Sequence, residues 1–158
     1  MKSNELIVYI LDYLDNNLYR DISIQELSLY FGYEKSYIMK KFKNELGISI
    51  KTYVNKMKII SSLNSLGNND LLIKTALEYG FNSLEYYSEV FSKVVGVSPT
   101  VYKKYLIGQA TKDELEIIRE FIEELTNFDL FLEKNRASLK GNENKILRLT
   151  IPNEKKCA

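Results

Sequence analysis

The 158-residue chain has no histidine and no tryptophan, one cysteine, two prolines and seven glycines. Each shortage excludes something. Without histidine the chain lacks the usual zinc ligand and the usual general base near neutral pH, and no side chain can play the imidazole part of a serine or cysteine triad. One cysteine, Cys157, cannot build a disulfide scaffold and suits a reducing compartment. The few glycines form no phosphate-binding run. No apolar stretch approaches the roughly 18 residues of a membrane span, and no signal-peptide pattern precedes the first helical pattern; a cytoplasmic protein without membrane contact is expected. Charge also lacks a dominant sign, with 22 basic against 21 acidic residues, so the total identifies no partner. Asp113, Glu114 and Glu116 cluster at a helix start, where the helix dipole accounts for them. The chain is therefore expected to be no enzyme, with no catalytic residue, metal or cofactor.

What is present is helical periodicity punctuated by caps. Between Ala76 and Tyr102 a short helix, a turn at Gly80 and a second helix follow one another. Asn82 is placed as cap of the second helix, with Glu85 completing a capping box. Leu84, Tyr87, Val90, Phe91 and Val94 recur at three- and four-residue steps on one face, and Gly96 ends the helix. Ser98-Pro99 then opens a packing helix to Leu106. An earlier copy lies 48 or 49 residues upstream, where Gly32, Ile38, Phe42, Gly47 and Ser49 match Gly80, Tyr87, Phe91, Gly96 and Ser98. Tyr53 approximately matches Tyr102. The expected fold is all-α: two helix-turn-helix subdomains joined by a long connector helix, plus a C-terminal helical extension.

In chain order, Leu6, Ile7, Ile10, Leu11 and Leu14 form one face of a first helix, with Asp12, Asp15 and Asn16 turned away. Ser23 and Glu26 make a capping box for a helix buried through Ile24, Leu27 and Phe31. The helix Lys35–Leu46 follows, buried through Tyr37 or Ile38, the stem of Lys41, and Phe42. A strut from Ser49 to Leu66 carries Tyr53, Val54, Met57, Ile60 and Leu63 inward. Residues 1–106 are read as the double helix-turn-helix domain and 107–158 as the extension. The extension holds a helix of about 111–134, capped by Thr111 and Glu114, with a stripe of Leu115, Ile118, Ile122, Leu125, Phe128 and Leu132. Its polar tail holds a short extended segment, 146–151.

A helix-turn-helix presents its second helix to the major groove. The outer face of the first such helix carries Lys35, Ser36, Met39, Lys40 and Lys43, where Lys40 can donate to guanine or phosphate. The plain alternative is that these lysines only solvate a surface helix. The second outer face, Glu85, Ser88, Glu89 and Ser92, is acidic; Leu84, Glu85, Ser88 and Glu89 are its candidate DNA contacts. Carboxylates accept from cytosine but are repelled by phosphate. Residues 1–106 hold 13 basic and 11 acidic side chains, so steering toward DNA is modest.

The spacing resembles the DNA-binding domain of AraC/XylS-type transcription regulators over about residues 5–106. That family usually shows G-F-x-x-x-x-Y-F-x-x-x-F-K-x-x-x-G-x-x-P-x-x-Y/F-R. Here Ala76, Gly80-Phe81, Tyr86-Tyr87, Phe91, Lys93, Gly96, Ser98-Pro99 and Tyr102 fall in step. The first unit agrees at Leu27, Gly32, Tyr37-Ile38, Phe42-Lys43, Gly47 and Tyr53. Departures are Lys58 for the connector's usual Arg, Ser62 and Ser28 for usual alanines, Glu34 for a usual Ser cap, Glu89 for a frequently basic residue and Lys103 for the last Arg. The resemblance implies a sequence-specific transcription regulator on double-stranded DNA, reading mainly through helix 35–46 and secondarily through helix 83–94. RNA polymerase and a second copy docked through helix 111–134 are further candidate partners. Any ligand sensing would fall to a partner or to the extension. The alternative is a protein-interaction or anti-regulatory module that keeps the fold with weak or no specific DNA contact.

Overall fold

A computed structural model describes residues 3–136; the expected segment 146–151 lies outside them. Eight α-helices and one 3-10 turn make up the described residues, with no strand among them. They are α1 (Ser3–Asp15), α2 (Ile24–Phe31), α3 (Lys35–Leu46), α4 (Ile50–Ser62), the 3-10 turn Leu63–Gly67, α5 (Leu72–Glu78), α6 (Leu84–Val95), α7 (Pro99–Leu106) and α8 (Lys112–Arg136). The pairs α2–α3 and α5–α6 are the two helix-turn-helix units, and α4 runs between them.

Local chemistry sets the boundaries. Ser23, Ser49, Ser83 and Ser98 each accept a hydrogen bond from the backbone N–H three residues on, satisfying one of the donors a helix start leaves open. At α8 the box is reciprocal: Thr111 accepts from the Glu114 N–H at 3.2 Å, and Glu114 accepts from the Thr111 N–H at 2.9 Å. Two expectations shift. Ser83, not Asn82, caps α6; its backbone is extended (φ −150°, ψ 156°), and Glu85 becomes the second helical residue rather than a box partner. The strut is α4 only to Ser62, after which the chain tightens into the 3-10 turn.

The core follows the helical faces. Leu6, Ile7, Ile10, Leu11 and Leu14 of α1, Leu27 of α2, and Ile38, Phe42 and Leu46 of α3 are buried. Tyr37 instead lies outside, stacked on Tyr33 with ring centres 5.2 Å apart. The internal repeat extends to aromatic geometry: Phe42 meets Tyr53 edge to face at 5.6 Å, and Phe91 meets Tyr102 edge to face at 5.8 Å. Such pairs add about 0.5–1.5 kcal/mol beyond burial.

Polar groups account for the remaining surprises. Asp15, expected to face water, is buried and accepts a hydrogen bond from the Tyr53 hydroxyl at 2.8 Å. Glu26 does not return to the Ser23 N–H. The Tyr13 hydroxyl donates to it, and the Arg20 fork pairs with both its oxygens at 2.8 and 2.5 Å. This fixes the connection between α1 and α2, and those donors hold the Glu26 carboxyl down at about 2. Ser62, where the family usually has Ala, and Tyr87 are both buried, with hydroxyl oxygens 2.8 Å apart. The hydroxyl that the departure at Ser62 brings into the core is therefore met by that of Tyr87.

Helix α8 packs against α6 and α7 and against α1. Ile118, Phe121, Leu125 and Leu132 are buried, while Leu115, Ile122 and Phe128 are half-buried. Phe121, outside the six-residue stripe read from the sequence, is buried with it. Phe128 reaches α4, with Tyr53 at 6.3 Å between ring centres and the Lys56 ammonium 4.1 Å above its ring.

Candidate nucleic-acid interface

Three turns of α3 separate two chemistries cleanly. Ile38, Phe42 and Leu46 point into the core, while Lys35, Ser36, Met39, Lys40 and Lys43 are all exposed. Lys41 lies off that face and pairs with Glu45 at 3.0 Å. Gly32, in the left-handed region at φ 75°, turns the chain from α2 into α3, and Gly47 (φ 76°) stops α3. The result is a rigid helix offering ammonium and hydroxyl donors to solvent, the donor set that guanine edges and phosphates accept.

The corresponding helix α6 is arranged alike but charged differently. Tyr87, Val90, Phe91 and Val95 are buried. Glu85 and Glu89 are exposed; Leu84 and Ser88 are half-buried. The Glu89 carboxylate lies 3.4 Å from Lys93, so its charge is partly met on its own helix. Tyr86 is 39% exposed and accepts a hydrogen bond from Asn55 of α4 at 3.3 Å.

Sequence reasoning missed what lies between the units. A groove of about 500 Å³ brings Met39 and Lys43 of α3 together with Ile50, Lys51, Val54, Asn55 and Lys58 of α4, Phe81 of the second turn and Tyr86 of α6. Two residues of the expected α3 face, Met39 and Lys43, thus share one concavity with Tyr86 of α6, and none of the expected α6 contacts lines it. The sequence signal available was the connector's own lysine, Lys58, at a position the family pattern fills with Arg; its burial to 3% exposure could not be read from periodicity. Burial pushes its ammonium pKa down against the pull of Asp21. Among the described residues no group of three or more His, Cys, Asp and Glu side chains could hold a metal ion. No helix among them is long and apolar enough to cross a membrane.

A family profile described as "Helix-turn-helix domain" matches residues 27–105, spanning both units. Among curated proteins, an uncharacterised HTH-type transcriptional regulator of Staphylococcus aureus is 25% identical over 138 residues, which are 80% of this chain and 18% of that protein. The HTH-type transcriptional activator AarP of Providencia stuartii is 26% identical over 101 residues, 63% of this chain and 75% of AarP. The chain therefore spans less than a fifth of the staphylococcal relative. Among solved structures, a probable AraC family transcriptional regulator from Rhodopseudomonas palustris superposes with a TM-score of 0.57 at 19% identity, over 69% of this chain and 98% of that one. That last likeness bears on fold.

Proposed function

The chain belongs to the AraC-type helix-turn-helix family, and on that premise we propose that it is a transcription regulator binding specific double-stranded DNA. In this reading α3 carries most of the contact in one major groove, and α6 enters the next segment with a weaker, different set. The observation that carries the proposal is the α3 face, where Lys35, Ser36, Met39, Lys40 and Lys43 are exposed above a fully packed underside. Lys40 is assigned to a base or phosphate, with Ser36 and Met39 flanking it; Lys35 and Lys43 are assigned to the backbone. On α6, Leu84, Glu85, Ser88 and Glu89 form the second contact set, with the carboxylates accepting from exposed cytosine amino groups. A regulator of this kind works beside the chromosome, so the cytoplasm is its compartment, and it needs neither catalysis nor cofactor. RNA polymerase is the natural second partner of an activator. A second copy docking through α8 would have to use Ile117, Leu130 and Phe131, apolar residues that helix leaves exposed.

The test is a salt-dependent binding assay on a selected site and on random DNA. K40A is expected to cost about 1–3 kcal/mol on the selected site and less on random sequence. K40A/K43A together should flatten the dependence of log affinity on log salt by about 1–2 units. Unchanged affinity in the double variant would remove α3 from the interface and leave an interaction module as the better reading.

A further inference from the structure

The groove between the two units has the make-up of a small-molecule site. Its volume, about 500 Å³, falls inside the roughly 300–1,000 Å³ range of ligand clefts. Half-buried Ile22, Ile24, Ile50 and Val54 and buried Phe81 line it, so much of its wall gains nothing from water. Of the three lysines that line it, Lys43 and Lys51 are exposed and one, Lys58, is buried in that wall. Lys58 is 3% exposed, and its nearest carboxylate, Asp21, stands 3.8 Å away on a side chain that is itself 83% exposed. That separation exceeds a hydrogen bond. Phe81 lies under the ammonium at 5.7 Å, a weak compensation for a cation on a side chain largely withdrawn from water. A buried charge of this kind is stabilised by an anion that brings its own acceptor atoms.

We propose that this groove binds a small apolar monocarboxylate, its carboxylate on Lys58 and its hydrocarbon body against Ile24, Val54 and Phe81. Inorganic phosphate matches the charge but not the walls, since it stays fully hydrated and has no apolar part to bury. A neutral alcohol of equal length matches the walls but not the charge. The organic acid satisfies both. Asp21, mostly in solvent, can swing out as the ligand's carboxylate enters. The occupant would lie against Met39 and Lys43 of the recognition face, so it would also lower DNA affinity. That consequence rests on the reading of α3 given above; the site itself does not.

Calorimetric titration of the full chain with octanoate, octanol and inorganic phosphate tests the site without DNA. Saturable octanoate binding is expected, with octanol and phosphate at least about tenfold weaker, and with K58M losing about tenfold or more while K58R retains binding. Circular dichroism checks that each variant is folded. The comparison of octanoate with octanol on the unaltered chain stands even where K58M does not fold. Equal binding of octanol, unchanged octanoate binding by folded K58M, or no saturable octanoate binding up to millimolar concentration would each overturn the proposal. In a second arm, fluorescence anisotropy follows DNA affinity with and without octanoate. Octanoate that binds and weakens DNA binding supports both site and consequence. Octanoate that binds and leaves DNA affinity unchanged supports the site and counts against the α3 reading.

Discussion

At the scale of the residue, Ser62 and Tyr87 show how two buried hydroxyls can form one feature. Either hydroxyl alone would sit unbonded to a side chain in the core; together they lie 2.8 Å apart, and Ser62 also donates to the Ile59 carbonyl at 2.7 Å. Burial pushes the Tyr87 phenol up to about 12, with the Ser62 bond drawing it partly back. S62A should then cost about 1–3 kcal/mol by leaving the phenol unsatisfied, whereas S62A/Y87F should be close to neutral. A urea-unfolding cycle over the four proteins measures the coupling; additive single effects would mean the hydroxyls do not depend on each other. Gly80 gives a second contrast. It and Gly32 share a left-handed backbone, at φ 80° and 75°. A Cβ at Gly32 meets open space, but one at Gly80 would come 2.8 Å from the Lys58 ammonium and 3.2 Å from the Tyr19 backbone. G32A should cost about 1–2 kcal/mol from backbone strain, and G80A about 1–3 kcal/mol more from overpacking. Equal losses would show that the Tyr19 wall yields. Neither contrast was legible in the sequence, which marks glycine at turns but not what crowds it.

Elements were far more legible than their surroundings, because periodicity and caps are local. Ile38 and Phe42 of α3 face inward and Lys35, Ser36, Met39, Lys40 and Lys43 outward, as their spacing required. The caps at Ser23, Ser98 and Thr111 were read from residue type and spacing, whereas Ser49, read as the first residue of the strut, is its cap. The miss at α6 is instructive: Asn82 and Ser83 are both good caps, Glu85 favoured the first by box spacing, and the extended backbone at Ser83 decided for the second. Asp15 was misplaced because its partner, the Tyr53 hydroxyl, lies 38 residues away. What charge pattern does say at this scale is that α3 and α6 differ. Glu89 offers phosphate a repulsion that Lys93, 3.4 Å away, partly offsets. E89R removes the carboxylate and frees Lys93, so non-specific DNA affinity should rise several-fold at about 0.1 M salt and the salt slope should steepen by about 1–2 units. Filter binding on random duplexes checks this. An unchanged slope would mean that α6 never comes within reach of the backbone.

For the whole molecule the deciding element is α8, whose apolar stripe was plain in the sequence while its docking surface was not. It touches α6 of the second unit and the closing helix α7, and on the other side α1 and, through Phe128, the connector α4, both of which pack against α3 of the first unit. At one end Ile117 fits over Gly96, where a Cβ would come within 2.7 Å of its Cγ2; farther along, the Lys56 ammonium covers Phe128. The helix therefore ties the two units together as well as covering them. Ile118, Phe121, Leu125 and Leu132 are each 7% exposed or less, and each buried side chain contributes about 1.5–3 kcal/mol as an upper estimate. With the stripe packed on its own chain, the large apolar residues that the described part of α8 leaves exposed to a second copy are Ile117, Leu130 and Phe131. The full chain should sediment as a monomer at tens of micromolar; a dimer would show that this residual edge is enough. L125A should cost about 2–5 kcal/mol. Because the helix touches both units, that loss should fall on amides of α3 and α6 alike when hydrogen exchange is followed element by element. Loss confined to α6 and α7 would mean that α8 merely caps the second unit. Loss in both would make α8 the part that fixes how far apart, and at what angle, the two recognition helices meet DNA.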